Sequence, residues 1–313
     1  MIPFDQSYPR DLVGYGAHMP DPKWPGGARI AINFALNYEA GGELNVLHGD
    51  ATSESLMTDF GLPPVEGARS MLTESAFEYG SRRGVWRLLG LFRERGVKMS
   101  VFAVVMGLMR NREVAAAMVE DGHEMVSHGW RWIDYQDVPE DEEREHVRLA
   151  VEGITEVTGQ RPVGCMTGRT SPNTRRLLVE EGGFLYDRDA FNDELPYWVE
   201  VGGKPHLVIP YSLETNDNRF DANSGFNTAD DFFQYMKDTF DLLYAEGASE
   251  PKMMSLGMHD RLIGRPGRAA GLERFLDYVL EHDKVWICTG EEIAHHWMEH
   301  YPYRGAGARD RRT

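Results

Sequence analysis

The stretch Val126-Ser-His-Gly-Trp-Arg-Trp132 decides the fold assignment, because a short apolar run ends there and a histidine follows at once. The residues 124–127 have the length and apolar content of a buried strand. His128 therefore stands where a strand passes into a loop, which is where parallel α/β barrels place their reactive groups. Four residues later the chain carries Trp132 instead of a second histidine. The stretch predicts a site at a strand end, and its chemistry depends on what the neighbouring strands contribute.

Outward from this stretch, strands and helices alternate along the chain. Buried strands are predicted at 29–36, 99–105, 124–127, 162–166, 184–186, 207–209, 253–258 and 285–288. Helices are predicted at 84–92, 111–120, 139–158, 173–181, 228–246, 267–282 and 290–300. The strongest helix has Thr228 as its N-cap and Gly247 beyond its end. About eight strands separated by helices indicate parallel βα units, closed as a barrel or wound as an open sheet.

Three segments lack this periodicity. The first, 1–27, is rich in Pro, Gly and Asp and predicts an irregular N-terminal arm. The second, 41–75, is a long polar insertion of the kind that forms functional lids or is disordered. The third, 304–313, is a Gly- and Arg-rich tail that we expect to be disordered. Composition does not change elsewhere, so we predict a single domain over 1–303.

Composition restricts the class of protein and of partner. The 313 residues are 42% hydrophobic and 27% charged, with a net charge of −17, which disfavours a nucleic-acid or anionic-membrane partner. The two cysteines, Cys165 and Cys288, lie in apolar runs and fit a reducing compartment. We identify neither a signal peptide nor an apolar segment of the ~20 residues that a membrane helix needs. We expect a cytoplasmic enzyme that acts on a small molecule.

Polar and titratable residues follow six of the predicted strands. They are Asn37, Tyr38 and Glu39; His128; Thr167, Gly168 and Arg169; Asp187 and Asp189; Tyr211 and Glu214; and His259, Asp260 and Arg261. Any one of them alone is most simply a loop residue, because loops are polar. The carboxyl ends of parallel strands meet at one edge, so six such ends together favour an active site.

His128 and its neighbours resemble the polysaccharide deacetylase family (carbohydrate esterase family four). Those enzymes carry His-Ser/Thr-x-x-His after the third strand, and both histidines bind a divalent metal with an aspartate from strand one. Here the second position is Trp132, which cannot bind a metal, and strand one ends in Asn37-Tyr-Glu39. Leu256-Gly-Met-His259 and Gly168-Arg-Thr-Ser-Pro172 match two further motifs. The resemblance implies a distorted parallel (β/α) barrel of seven to eight strands, of NodB-like type, without the metal triad.

Longer stretches resemble one branch of that family, the metal-independent bacterial allantoinases of purine breakdown. They are Tyr8-Pro-Arg-Asp-Leu-Val-Gly14, Trp24-Pro-Gly-Gly-Ala-Arg-Ile30, Leu36-Asn-Tyr-Glu-Ala-Gly-Gly-Glu43, Glu78-Tyr-Gly-Ser-Arg82, Ser127-His-Gly-Trp-Arg-Trp-Ile-Asp134, Thr167-Gly-Arg-Thr-Ser-Pro-Asn173 and His259-Asp-Arg-Leu-Ile-Gly-Arg-Pro-Gly-Arg268. The resemblance implies a cyclic ureide or imide as substrate, no metal or other cofactor, and a homotetramer. It implies hydrolysis of allantoin to allantoate.

Opening such a ring without a metal requires a base for water, donors for the oxyanion and an acid for the leaving nitrogen. Glu39 is the candidate base, and we expect burial to raise its pKa toward neutrality. His259 is the candidate acid or oxyanion donor. His128 could serve in either role or orient the water.

Six residues are candidates for substrate binding. The planar guanidinium of Arg169 suits carbonyl, ureido and carboxylate oxygens, although an ion pair with Asp187 or Asp189 explains it equally well. Trp130 and Trp132 could form an apolar wall, or simply pack the barrel mouth. The remaining candidates come from their places at strand ends: Asn37, Asp187 and Glu214.

Three other functions remain open. A metal-dependent N-deacetylase of amino sugars or polysaccharide is disfavoured by Trp132 and by the lack of a recognisable secretion signal. A cyclic imide hydrolase differs from an allantoinase by one or two hydrogen bonds to the substrate. An inactive barrel serving as a binding module is disfavoured by the presence of His128 and His259 at strand ends.

Overall fold

A curled, mostly parallel β-sheet is the centre of the fold in this computed structural model, which describes residues 9–59, 61, 63–222 and 224–305. Its strands are β1 (Ile30–Tyr38), β2 (Ser100–Ala103), β3 (Glu124–Ser127), β4 (Gly164–Cys165), β5 (Tyr186–Asp187), β6 (Tyr197–Val201), β7 (Lys204–Val208), β8 (Lys252–His259) and β9 (Val285–Ile287). The sheet order is β6-β7-β5-β4-β3-β2-β1-β8, and β9 pairs with β1. The predicted distorted parallel (β/α) barrel of seven to eight strands is confirmed.

Helices follow most of the strands and cover the outside of the curled sheet. They are α1 (Met71–Tyr79), α2 (Val85–Glu94), α3 (Val105–Leu108), α4 (Arg112–Glu120), α5 (Glu140–Thr158), α6 (Thr174–Glu181), α7 (Ala229–Glu246), α8 (Pro266–Leu280) and α9 (Gly290–His300). The predicted N-cap of α7 is confirmed, because Thr228 and Asp231 form a reciprocal capping box. None of the described helices is long and apolar enough to cross a bilayer.

Two regions show the main differences from the predicted elements, in addition to α3, which begins at the last residue of the predicted strand 99–105. The strands β6 and β7 form an antiparallel hairpin, and the pattern predicted only its second strand. Tyr197–Val201 is half-exposed, so it has neither the apolar run nor the alternation that marks a strand. Gly202 and Gly203 have φ of 58° and 77°, as a two-residue hairpin turn requires. The second region is the predicted loop 41–75, whose end contains the first residues of α1.

The central strand β1 is buried at all nine positions. It pairs in parallel with β8 along residues 30–37, with β2 near its end and with β9 near its start. A strand covered on both faces carries apolar residues continuously instead of alternately. On the helical side, Phe34 packs against Phe92 and Phe275 with ring centroids 5.2 and 6.4 Å apart. This packing holds the middle of β1 against the covering helices.

The edge formed by the carboxyl ends of the strands is where the predicted site lies. β8 is the last strand in the sheet order, and the residues just before Asp217 run beside it, with a parallel bridge between Asn216 and Gly257. The N–H of Gly257 donates to the carbonyl of Thr215 at 2.8 Å. This connection brings Asp217 next to the end of β8.

Within the predicted arm 1–27, residues 9–24 contain neither helix nor strand, and Pro25–Gly27 form a short 3-10 helix. Residues 1–8 of the arm lie outside the described residues. So do residues 306–313 of the predicted tail 304–313, whose disorder stays a prediction.

Candidate active site

Glu39 is the centre of a cluster of charged side chains at the ends of β1, β3 and β8. The side chain is 1% exposed. Its Oε1 lies 3.1 Å from Nε2 of His128 and 3.5 Å from Nε2 of His259. Its Oε2 lies 2.6 Å from Nη1 of Arg261. The register of the parallel strands explains why Glu39 and His259 lie close together, because Asn37 is opposite His259 in the β1–β8 pair.

The ring of His128 is fixed by a backbone contact. Its Nδ1 hydrogen-bonds to the carbonyl oxygen of Met166, and since a carbonyl can only accept, Nδ1 must carry a proton. Nε2 therefore faces Glu39. A Cβ at Gly168 would lie 3.3 Å from Cε1 of the ring, so the loop after β4 closes against the imidazole. The contacts fix the direction of the ring.

His259 is held by a carboxylate that the sequence analysis did not identify. Its Nδ1 lies 2.6 Å from Oδ1 of Asp217. The other oxygen of Asp217 accepts the backbone N–H groups of His259 and Ile263 at 2.7 and 3.0 Å. Burial lowers the pKa of His259, but Asp217 and Glu39 outweigh burial and raise that pKa to about 9. His259 is thus a protonated imidazolium at neutral pH.

The pKa of Glu39 moves in the opposite direction to the one predicted. Burial raises it, but the Arg261 guanidinium, then His259, outweigh burial and hold the pKa of Glu39 well below its usual range. The expectation of a pKa near neutrality is wrong because it counted burial without the cations that surround the carboxylate. Glu39 is a carboxylate anion in this state of the site.

Arg261 follows the strand-eight histidine and enters the site as a buried cation. It is 1% exposed, and its Nε donates to the carbonyl of Met57 at 3.0 Å. Its guanidinium carbon lies 4.1 Å from the ring centre of Phe77. The 2.6 Å contact with Glu39 is out of hydrogen-bond alignment, and Nη1 and Nη2 have no hydrogen-bond partner among the described residues. Nη2 is therefore a charged donor available to a ligand at Glu39, while Nη1 is held in the ion pair with the carboxylate.

Trp132 occupies the place of the second family histidine and forms a wall beside the cluster. It is 4% exposed and packs against Phe77 with ring centroids 5.9 Å apart. The guanidinium carbons of Arg169 and Arg261 lie 3.8 and 5.2 Å from its ring centre. Trp130 is partly buried and packs against the main hydrophobic core. Of the two predicted aromatic residues, Trp132 is the one that contacts the charged groups of the site.

The acidic partner of Arg169 differs from both expected partners. Its Nη1 and Nη2 each lie 3.3 Å from Oε2 of Glu54, a residue of the long insertion. Asp187 instead pairs with Arg175, whose Nε lies 2.6 Å from Oδ2. Asp189 accepts the backbone N–H groups of residues 167 and 168. An ion pair of Arg169 with Asp187 or Asp189 is therefore ruled out by the geometry, since both carboxylates are bound elsewhere.

The remaining predicted residues are dispersed around the edge of the sheet. Asn37 is buried and donates to the carbonyl of Met258 at 3.0 Å, which places it under the cluster. Asp187 is fully buried within the sheet beside His206. Glu214 is exposed and accepts the hydroxyl of Tyr235. The structure thus groups Glu39, His128 and His259 together, while the substrate contacts of Asp187 and Glu214 stay predictions.

The donor set at this edge does not fit the divalent metal of the fold family. Within the described ranges, no group of three or more His, Cys, Asp or Glu side chains is placed to hold a metal ion. Trp132 offers no ligand atom, and Nη1 of Arg261 already lies against Glu39. The cationic side chain of Arg261 therefore occupies the carboxylate of Glu39, which would have to bind the metal.

Sequence reasoning gave no role to three residues of this arrangement. Arg261 was named among the residues that follow the predicted strand 253–258, and its adjacency to His259 was a usable signal. Asp217 and Glu54 lie in loops among other polar residues. Only the folded chain shows that Asp217 supports His259.

Comparison with known proteins places this geometry in a family. The family model described as polysaccharide deacetylase matches residues 70–181. The "Putative polysaccharide deacetylase" of Schizosaccharomyces pombe is 39% identical over 315 residues, covering 94% of this chain and 98% of that protein. The "probable Polysaccharide deacetylase from Pseudomonas aeruginosa PAO1" is 59% identical, with a TM-score of 0.93 over 95% of this chain and 100% of that chain. PuuE allantoinase is 56% identical, with a TM-score of 0.93 over 95% of this chain and 99% of that chain. The chain therefore belongs to the polysaccharide deacetylase family.

Proposed function

We propose that this protein hydrolyses a cyclic amide C–N bond and that its substrate is allantoin, which it opens to allantoate. The observation that carries the proposal is the grouping of one carboxylate, two imidazoles and one guanidinium around Glu39. These are the groups that metal-free amide hydrolysis needs. The similarity to PuuE allantoinase supports the choice of ring.

The reaction adds one water molecule across a ring amide. The water oxygen bonds to the carbonyl carbon, and the carbonyl oxygen becomes an oxyanion. The C–N bond then breaks, and the ring nitrogen takes a proton and leaves as part of a ureido group. The product carries a new carboxylate, so a neutral ring becomes an anion. Each step requires a group that moves a proton or stabilises negative charge.

Glu39 is the base in this proposal, and Arg261 controls its strength. In the free site the guanidinium keeps Glu39 a weak base, because it lowers the pKa of the carboxyl group. Its Nη2, which has no hydrogen-bond partner among the described residues, is suited to the carbonyl oxygen of a bound ring. As negative charge develops on that oxygen, the guanidinium interacts more strongly with the oxygen and less strongly with Glu39. The pKa of Glu39 then rises, and the carboxylate can accept a proton from water.

His259 is the acid. It is protonated below about pH 9 because Asp217 and Glu39 favour the imidazolium form over the effect of burial. Its Nδ1–H is bound by Asp217, so Nε2–H is the proton that faces the reacting groups. Donation to the ring nitrogen completes bond cleavage. His128, fixed through its Nδ1, orients Glu39 and the attacking water.

A substrate panel tests the proposal. The purified protein is assayed on allantoin, hydantoin, dihydrouracil, succinimide and an N-acetylglucosamine oligomer under the same conditions. We expect turnover of allantoin with the highest kcat/KM of the panel. Faster turnover of succinimide or dihydrouracil would reassign the ring, and release of acetate from the oligomer would support the deacetylase named for several relatives.

A further inference from the structure

A segment of the long insertion, residues 53–59, covers the candidate active site. The carbonyl of Met57 accepts the Nε–H of Arg261. The side chain of Met57 packs on the small apolar cluster that contains Phe77 and Trp132. The charged groups around Glu39 lie beneath this cover and are almost fully buried. Contacts between the segment and the site therefore control what the site binds.

Within this cover, the carboxylate of Glu54 has a fixed position. Its backbone N–H donates to the carbonyl of Leu44 at 2.9 Å. Oε1 accepts the N–H groups of Ser55 and Leu56 at 2.8 and 2.9 Å, and the side chain is 3% exposed. Oε2 is left to face the guanidinium of Arg169. A carboxylate held by its own turn needs no rearrangement to remain there when its partner leaves.

Arg169 connects Glu54 to the reacting groups. Its guanidinium stacks on Trp132 with 3.8 Å between the guanidinium carbon and the ring centre, and the preceding Gly168 lies against His128. Both contacts between Arg169 and Oε2 of Glu54 are 3.3 Å long. Charge-assisted hydrogen bonds are typically about 2.7–2.9 Å long. The Arg169–Glu54 contacts are therefore longer than typical charge-assisted hydrogen bonds, which favours their replacement by another carboxylate.

We infer that Glu54 is a positioning residue that competes with the reaction product for Arg169. This inference rests on the proposed function, in which a neutral ring becomes an anion. A neutral substrate binds while Glu54 neutralises Arg169. The guanidinium of Arg169 then shifts from Glu54, which stays in place, to the new carboxylate, and re-formation of the Arg169–Glu54 pair displaces the product. The site thereby disfavours anionic ureido acids and accepts uncharged cyclic ureides.

Calorimetric titration of allantoate into the wild type and Glu54→Gln tests the exchange. Gln keeps an oxygen for the Ser55 and Leu56 N–H groups but removes the competing charge. We expect allantoate to bind about tenfold more tightly to the variant, while the KM for allantoin changes less than about threefold. Glu54→Asp, which retains the charge, should restore weaker binding of allantoate.

The control is Glu74→Gln, in α1, whose first residues form the end of the insertion. Glu74 is also a carboxylate of low exposure paired with an arginine, with 2.5 Å between Oε2 and Nη2 of Arg69, but it does not face Arg169. We expect its affinity for allantoate to equal that of the wild type. Equal tightening in both variants would indicate a general effect of lost negative charge and overturn the exchange.

Acetate is titrated in parallel because it presents a carboxylate without a ring. Tighter acetate binding by Glu54→Gln, alongside a wild type that does not hydrolyse allantoin, would retain the exchange and overturn the proposed function. Unchanged affinity for both acetate and allantoate in Glu54→Gln, alongside normal allantoin turnover, would retain the function and overturn the exchange.

Discussion

Two buried carboxylates in the same barrel have opposite surroundings. Glu124, in β3, accepts the hydroxyls of Tyr186 and Ser100 at 2.6 Å each and the N–H of Gly290 at 2.8 Å. Burial raises its pKa, and the hydrogen bonds only partly oppose that effect. Glu39 is surrounded by cations that lower its pKa. The surroundings of Glu124 supply hydrogen bonds to a buried polar group, whereas those of Glu39 keep its carboxylate ionised.

Two buried arginines show the same contrast. The terminal nitrogens of Arg188 donate to Asn33, Ser255 and the carbonyl of Pro210. Nη1 of Arg261 lies in an ion pair with Glu39, and its Nη2 has no hydrogen-bond partner within the described part of the chain. Buried polar groups are nearly always paired, so an unpaired one needs an explanation. A ligand that arrives during function is the explanation the site supports.

The largest expected effect is the difference in activity between substitutions of the two carboxylates, Glu39 and Glu124. Glu39→Gln should lower kcat roughly a thousandfold, because the base is lost. Glu124→Gln should retain kcat and lower the free energy of unfolding by about 1–3 kcal/mol, since an amide NH₂ cannot accept the donors around Glu124. Steady-state kinetics and urea unfolding measure both. Normal turnover by Glu39→Gln would place the base elsewhere.

Substitution of the two arginines should likewise affect activity in one case and stability in the other, and the loss of activity should be smaller than that of Glu39→Gln. Arg261→Lys should lower kcat/KM about a hundredfold, because the compact ammonium cannot contact Glu39 and the oxyanion through two separate nitrogens as the guanidinium can. Arg188→Lys should instead cost about 1–3 kcal/mol of unfolding free energy with near-normal kcat/KM. If the two variants showed equal kinetics, the unpaired Nη2 of Arg261 would have no catalytic meaning.

The pH dependence tests the charge of His259. Its pKa of about 9 predicts that kcat/KM falls as pH rises through about 9, where the acid loses its proton. Its raised pKa also stabilises the fold at low pH, fully below about 6.5, and this stabilisation disappears on titration through about 9. Asp217→Asn should move the alkaline limb to lower pH. Asp241→Asn, at a carboxylate paired with Lys237, should leave the limb in place.

The smallest effect concerns the aromatic wall. Trp132→Phe keeps an apolar ring but reduces the surface on which Arg169 stacks. We expect KM for allantoin to rise about threefold with kcat nearly unchanged, because cation–π contacts contribute about 0.5–2 kcal/mol. A loss in kcat equal to that of Arg261→Lys would assign Trp132 a role in the reaction itself.

Much of the fold could be predicted from local pattern. The apolar run of β1, the strand 124–127 and the capping residues of α7 each have a sequence signal that does not depend on distant residues. The hairpin that begins with Tyr197–Val201 lacks such a signal, because its half-exposed strand has no regular alternation. Its pairing depends on β7 lying beside β5 in the sheet.

The candidate site was predictable only in part, for a physical reason. Parallel strands bring their ends together, so Glu39, His128 and His259 could be grouped from sequence. The charge of Glu39 could not be predicted from sequence, because it depends on the position of Arg261 and on whether burial or Coulomb attraction has the larger effect on the pKa. The partner of Arg169 was equally inaccessible, since Glu54 is 115 positions away in the chain.

The most direct test of acid–base hydrolysis without a metal is the rate of allantoin turnover by protein exhaustively treated with a chelator. Metal content is determined on the same sample by mass spectrometry. The predicted result is an undiminished kcat in metal-free protein, with no gain on adding zinc. A kcat that falls on chelation and returns only with zinc would contradict it, because the charges around Glu39 would then be insufficient for catalysis.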